Sequence, residues 1–152
     1  MPGRTIHGRH VWTLLASGFV LFIAGCAQEP GGPLCFSTRG KILYDSQPLA
    51  EALVVFHPLA SEPEGNNHQR PIAVTEADGT FQLSTLGTRD GAPEGDYVIT
   101  VELREVRMDG DTPVRDGKNL LPPRYQDPAQ SSLKYHVIEG ENQIPTLELL
   151  SR

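Results

Sequence analysis

The sequence predicts an all-β protein, a seven-stranded antiparallel β-sandwich, from three observations. Short segments rich in β-branched and aromatic residues recur along the chain, and turn residues separate them at a spacing of roughly 8–12 residues. Apolar and polar residues alternate within several of these segments, the period of two that strands with one buried face show. No convincing helical pattern interrupts the series.

The first two predicted strands, at residues 38–44 and 52–57, both end at residues that favour turns. The first runs into Asp45-Ser46-Gln47-Pro48, a turn composition. The second reads Ala-Leu-Val-Val-Phe-His, which is short, apolar and β-branched, and it stops at Pro58. A polar loop around Gly65 separates these strands from the next pair.

The next two predicted strands are a weak one at residues 71–75 and a clearer one at 80–85. The pair Asp78-Gly79 lies between them and predicts a tight hairpin turn, because glycine adopts a positive φ without penalty. Phe81 and Leu83 share one face of the second strand and are expected to point to the core.

The last three predicted strands flank a long segment without regular structure. Residues 96–103 form the clearest strand, since every second side chain is a large apolar one. Residues 104–132 contain several Asp-Gly and Pro pairs, and no helix of useful length fits through them. Strands at 133–138 and 144–150 complete the sandwich, with a Glu-Gly-Glu-Asn turn at 139–142 between them.

The predicted core is small and consists of the inward positions of these strands. Pro71 and Pro145 lack the N–H group, so they are expected at strand starts or sheet edges. The predicted core residues are Ile42, Tyr44, Val54, Phe56, Phe81, Leu83, Tyr97, Ile99, Val101, Tyr135, Val137, Leu147 and Leu149.

The first 25 residues have the pattern of a processing signal. Arg4 and Arg9 make a positive region with no acidic residue, and an apolar stretch follows at residues 11–25. This stretch is shorter than the ~20 apolar residues that span a bilayer, which disfavours the alternative of an uncleaved helical anchor.

The segment Ile23-Ala24-Gly25-Cys26 resembles the lipobox of bacterial lipoproteins. In a lipobox the cysteine thiol is the nucleophile that accepts a diacylglyceryl group, and the small residues before it let the signal peptidase bind an extended chain. Ile23 is a mild departure, since leucine is commonest there. The resemblance implies cleavage between Gly25 and Cys26 and a covalent lipid on Cys26, with no other cofactor expected.

Cleavage at this site divides the chain into a signal peptide at 1–25, a lipidated N-terminus with a Gly/Pro linker at 26–35, and one domain at 36–152. It removes two of the 13 basic residues and none of the 19 acidic ones, so the mature chain has a formal charge of −8. An acidic chain without a basic stripe argues against nucleic acid and against electrostatic docking on anionic lipid. Membrane attachment is therefore expected to rest on the acyl chains.

Only two cysteines occur, so lipidation of Cys26 leaves Cys35 without a disulfide partner. Cys35 is then a reactive thiol, one half of an intermolecular bridge, or a small apolar residue at the edge of the core. The third reading is favoured because free cysteine is commonly buried.

Several segments together resemble carboxypeptidase regulatory-like domains. Residues 40–49 and 52–58 resemble their opening strand, turn and second strand, and Thr-Glu-Ala-Asp-Gly-Thr-Phe at 75–81 resembles their Asp-Gly turn. Pro-Glu-Gly-Asp-Tyr-Val-Ile-Thr-Val at 93–101 resembles a later strand of the family. Residues 121–128 resemble a loop of the short bacterial lipoproteins that carry this domain.

The resemblance covers about residues 38–150 and implies a transthyretin-like (prealbumin-like) sandwich with a non-catalytic role. It departs at Ser46, where glycine is usual, so the first turn is expected to be longer or of another type. Fold resemblance does not deliver function by itself. The leading hypothesis is a membrane-tethered structural or interaction domain of the cell envelope, with protein or polysaccharide partners.

An enzymatic role is the least favoured alternative. The same broad fold includes hydroxyisourate hydrolases, which rely on His and Arg residues and on a Tyr-Arg-Gly-Ser motif that this sequence lacks. His57, His68 and His136 are the histidines of the mature chain, and only the first and last fall on predicted strands. Scattered histidines more often lie on the surface, so no catalytic residue is predicted.

The second hypothesis is a carbohydrate- or Ca²⁺-binding module that uses the 104–132 loop. Asp109, Asp111 and Asp116 offer hard oxygen ligands there, but their spacing lacks the EF-hand pattern, and Asp-Gly pairs commonly make turns. No metal site is therefore predicted. Tyr125 is the aromatic residue to test for ligand contact, although such a residue more often anchors its loop.

The residue after the lipobox bears on localisation. Ala27 follows Cys26, where an aspartate would resemble the inner-membrane retention signal of some bacteria. The sequence therefore points to a lipid-anchored protein of the cell envelope, in the outer membrane rather than the inner one.

Overall fold

The computed structural model describes residues 32–59 and 69–152, and the regular secondary structure of these residues is almost entirely strand. One 3-10 helix, Pro123–Tyr125, is the sole helical element of this part of the chain. The strands are β1 (Cys35–Phe36), β2 (Thr38–Tyr44), β3 (Gln47–Pro48), β4 (Leu53–Pro58), β5 (Ile72–Val74), β6 (Thr80–Gln82), β7 (Ala92–Pro93), β8 (Gly95–Glu102), β9 (Arg107–Asp109), β10 (Thr112–Val114), β11 (Lys134–Val137), β12 (Asn142–Gln143) and β13 (Leu147–Leu149).

The first large sheet is antiparallel throughout and has the strand order β11-β8-β4-β5. Strand β8 is its centre, because it pairs with β4 along six residue pairs and with β11 along four. Tyr97, Ile99 and Val101 of β8 point inward and are buried, as the alternation of large apolar residues predicts. Val98 and Thr100 on its other face are buried as well, so the prediction that only one face of this strand is buried was wrong.

The second large sheet is built around β2. On one side β2 pairs antiparallel with β6 and then with β3. On the other side it pairs in parallel with β12 and then with β13, so the C-terminal segment completes the sheet. Pro145 lies between β12 and β13, where its missing N–H breaks no ladder, as expected.

The core lies between the two sheets, which makes the described part of the chain an all-β, sandwich-like fold and confirms the predicted fold class. All predicted core residues except Tyr44, Tyr135 and Leu147 are buried, and those three are half-buried against the cluster. The cluster also contains residues that the sequence did not assign to the core, which are Leu49, Ala52, Ala73, Ala92, Leu121, Tyr125 and Ile144.

Each of the seven predicted strands overlaps a strand of the structure, and six shorter strands add to them. The prediction of a wholly irregular segment at 104–132 was wrong, because β9 and β10 form a hairpin there with Gly110-Asp111 at its tip. Its strand residues carry no large apolar alternation, so the sequence pattern hid it.

The first turn is not longer, which was one of the two changes expected at Ser46. Strands β2 and β3 pair directly across the two residues Asp45 and Ser46, and both have a positive φ, of 45° and 65°. The Ser46 N–H and hydroxyl donate to Glu148 Oε1, at 2.7 and 3.2 Å. These bonds help Ser46 hold a conformation that usually selects glycine.

Candidate functional site

The predicted lipidation site, Cys26, and the cleavage site Gly25–Cys26 lie outside the described residues, as does His68. The described chain starts at Gly32 and joins the fold at β1, which pairs with β7. Within the described residues no helix is long and apolar enough to cross a membrane.

Cys35 lies in β1 at the edge of the fold and is half-buried. Burial and the negative charge of Asp90 raise the pKa of its thiol above the ordinary value. A raised pKa keeps the sulfur protonated at neutral pH, and the thiol form is a poor nucleophile. The environment of Cys35 therefore argues against the reactive-thiol alternative.

The loop before β7 is fixed by one carboxylate. Asp90 accepts hydrogen bonds from the backbone N–H groups of Thr85, Leu86 and Gly87, at 2.7, 2.9 and 2.7 Å. Burial alone would raise the pKa of Asp90, but the three N–H donors outweigh it and lower that pKa. We call residues 84–91 the Asp90 loop.

The 104–132 segment uses its carboxylates for ion pairs and turns. Asp116, a candidate calcium ligand, accepts two hydrogen bonds from the Arg107 guanidinium, at 3.0 and 2.5 Å. This pairing lowers the pKa of Asp116. Asp109 and Asp111 lie exposed at the hairpin tip. In residues 32–59 and 69–152 no group of three or more His, Cys, Asp or Glu side chains is arranged to hold a metal ion.

Tyr125 anchors its loop to the C-terminal strand. It is 7% exposed, and its hydroxyl accepts a hydrogen bond from Leu150 N at 2.9 Å. The Arg124 guanidinium lies 4.8 Å from the centre of the Tyr125 ring and donates to the Leu150 carbonyl. A buried ring with its hydroxyl satisfied serves packing, which fits the anchoring alternative rather than ligand contact.

His57 and His136 lie on the same outward face of the first sheet but have separate partners. His57 Nε2 is 2.8 Å from Thr100 Oγ1, and burial, with the charge of Arg70, lowers its pKa. His136 Nδ1 is 2.9 Å from Asp96 Oδ1. His57 stands opposite Val98 and His136 opposite Asp96 along β8, so neither imidazole shares a partner with the other.

The outward face of the first sheet is apolar toward its β5 edge. Leu53, Ile72 and Val74 are 37%, 40% and 61% exposed, and Val55 is half-buried beside them. We call these four residues the outer sheet face.

A cleft of about 300 Å³ continues the outer sheet face toward the β9–β10 hairpin. Leu53 and Val74 form its apolar floor. Two ion pairs border it, Arg104–Glu102 at 2.7 Å and Arg115–Glu51. Its volume is at the lower end of small-ligand pockets. Sequence reasoning missed the cleft because Glu51 and Arg115 are 64 positions apart.

Comparisons with known proteins do not show a family for this chain. No family model matches the chain, and no curated protein matches it. The chain is similar to a crystal structure of a DUF3823 family protein from Parabacteroides merdae, with 14% identity and a TM-score of 0.38. The match covers 77% of this chain and 46% of that one, so this chain spans less than half of its length. At this identity and TM-score the likeness carries no functional argument.

Proposed function

We propose that this protein is a lipid-anchored, non-catalytic interaction domain of the bacterial cell envelope, held to a membrane through Cys26. The observation that carries the proposal is the segment Ile23-Ala24-Gly25-Cys26 after a basic and then apolar stretch. A short Gly/Pro-rich segment links Cys26 to the sandwich. The finer assignment to the carboxypeptidase regulatory-like domains, and to the outer membrane, belongs to the same proposal.

The surface supports a protein partner over a polysaccharide. Sugar rings are commonly bound by stacking on exposed aromatic rings, and no aromatic side chain is exposed among the residues that the structure describes. The outer sheet face instead offers aliphatic side chains beside a charged border, the composition of a protein-binding patch. We therefore place the partner-binding surface at Leu53, Ile72 and Val74.

The non-catalytic part of the proposal is supported by the surroundings of the histidine and cysteine side chains. The imidazoles of His57 and His136 have separate partners, and the Cys35 thiol has a raised pKa. The two imidazoles share no partner and so form no common site, and the raised pKa of Cys35 leaves its sulfur in the weakly nucleophilic thiol form.

Metabolic palmitate labelling tests the anchor. Wild-type protein is expected to incorporate label and to sediment with membranes, whereas Cys26→Ser is expected to be unlabelled and released. Cys35→Ser is the matched control and should behave as wild type. Unlabelled, soluble wild-type protein would contradict the proposal.

Photo-crosslinking in cells tests the binding surface. A crosslinking residue at Val74 is expected to capture a defined protein, and one at Leu120, which is 51% exposed, is expected to capture none. Equal yields from both positions would remove the outer sheet face from the proposal.

A further inference from the structure

A second exposed apolar surface lies where the chain joins the fold. Leu34 is 79% exposed and Leu86, in the Asp90 loop, is 53% exposed. Leu86 reaches the start of the described chain, since a Cβ built on Gly32 would lie 2.6 Å from its Cδ1 atom. We call Leu34 and Leu86 the tether-end surface.

The loop that carries Leu86 is held in one shape by side chains that bond the backbone. Besides the three N–H groups bound to Asp90, the Ser84 hydroxyl oxygen accepts from Arg89 N at 2.8 Å. The Thr85 hydroxyl donates to the Gly91 carbonyl at 2.6 Å, and Gln82 donates to the Arg89 carbonyl at 3.0 Å. Leu86 is therefore displayed outward from an ordered loop and does not fold back onto the core.

The charged groups near this surface do not favour an ionic partner. The Asp90 carboxylate faces the backbone of its own loop, and the Arg89 guanidinium binds Glu76 at 2.8 Å. Glu94, next to β7, is exposed and acidic. A surface with apolar tips and no basic cluster suits an uncharged, zwitterionic lipid surface rather than an anionic one.

The length of chain before Gly32 limits how far this surface is from the lipid. Gly32 is six positions after Cys26, and a fully extended chain spans at most about 3.6 Å per residue, or roughly 22 Å. The tether-end surface is the part of the domain next to this short connection.

We propose that Leu34 and Leu86 insert into the interfacial region of the bilayer and orient the sandwich on the membrane. This inference rests on the proposed lipidation of Cys26. With the tether end against the lipid, the far end of β8 and the cleft at Glu102 point away from the membrane, toward a partner in the aqueous phase.

Depth-sensitive labelling of the lipidated protein tests the inference. In a Cys35→Ser background, Leu86→Cys supplies a single free thiol for an environment-sensitive fluorophore, since lipidation occupies Cys26. Leu120→Cys is the matched control. Its exposure of 51% is nearly equal to that of Leu86, and it comes after the Glu102 end of β8, which is opposite to the tether end. Both proteins are reconstituted in phosphatidylcholine vesicles.

We expect the label at position 86 to be severalfold less accessible to aqueous iodide than the label at 120, and to be quenched by spin-labelled acyl chains. Protein that floats with the vesicles but shows equal iodide access at both positions overturns the insertion and leaves the lipid anchor intact. Protein that fails to float overturns the anchor and the insertion together.

The same label on Cys26→Ser protein without vesicles distinguishes lipid from protein as the covering surface. Position 86 is then expected to be as open to iodide as position 120. Shielding that persists without lipid would show that a second protein surface covers Leu86, which contradicts the inference.

Discussion

The Asp90 loop and the β9–β10 hairpin both extend from the sandwich, but different forces fix them. One carboxylate and three other side chains bond the backbone of the Asp90 loop directly. The hairpin has its own backbone ladder of three residue pairs, and the side chains that flank it form exposed ion pairs, Arg107–Asp116 and Arg115–Glu51. Hydrogen bonds to backbone set a conformation, whereas exposed ion pairs contribute little and weaken in salt. The first arrangement suits a surface of fixed shape, and the second borders the cleft at Glu51 and Arg115.

Glycine substitution should give the largest contrast between the two regions. Gly91 and Gly110 both have a positive φ, of 95° and 61°. A Cβ at Gly91 would lie 1.8 Å from the Phe36 carbonyl oxygen, whereas one at Gly110 would meet nothing within 4 Å. We expect Gly91→Ala to lower the free energy of unfolding by roughly 3 kcal/mol or more, and Gly110→Ala by about 1 kcal/mol.

Urea denaturation followed by circular dichroism measures both variants. If Gly91→Ala does not fold at all, its loss of stability is larger than that of Gly110→Ala, which is expected to fold. Equal losses of stability in the two variants would contradict the close approach of Gly91 to β1.

Neutralising one carboxylate in each region should give the next largest effect. In Asp90→Asn the new amide N–H₂ faces backbone donors, and we expect a loss of about 1–2 kcal/mol in unfolding free energy. Asp116→Asn, at an exposed ion pair, is expected to leave the stability within experimental error.

The pH dependence of the unfolding free energy shows whether the Asp90 carboxylate stabilises the folded protein. Its pKa is lower in the folded protein, so the unfolded chain binds more protons around the ordinary pKa of about 3.9. The stabilisation is therefore present above about pH 4 and is lost as the pH falls through the folded-state pKa. The acid limb of stability against pH should be shallower in Asp90→Asn than in wild type, and parallel limbs would contradict this.

Salt should produce the smallest contrast. Raising NaCl from 0.05 M to 1 M shortens the screening length to about 3 Å, which weakens the exposed pairs of the hairpin. We expect amide hydrogen exchange in residues 105–118 to accelerate about twofold, with residues 84–91 unchanged. Equal acceleration in both segments would show that the ion pairs do not set the stability of the hairpin.

Strand positions and most of the core could be predicted from the sequence because they depend on local alternation. Val54, Phe56, Ile99 and Val101 are buried where the period of two places them. Leu49 and Leu121 were missed because they follow turns, where no period operates. The hairpin at β9 and β10 was missed because its side chains are exposed on both faces.

The candidate sites were predictable to a smaller extent, because they combine distant residues. The lipobox is contiguous, so Cys26 stands out in the sequence, although it lies outside the described residues. The cleft needs Glu51 beside Arg115, and the tether-end surface needs Leu34 beside the Asp90 loop. Only the strand pairing brings these residues together, and no local pattern encodes it.

The parallel pairing of β12 and β13 with β2 has a consequence for biosynthesis. Strand β2 is synthesised early, but its Arg39 side chain binds Gln143, which is 104 positions later in the chain. A nascent chain that has not reached residues 142–149 leaves one side of β2 without partners, and closing so long a loop slows folding. We expect the sandwich to stay unfolded until residues 142–149 have been synthesised, a state in which a chain is still competent to be threaded through a secretion channel.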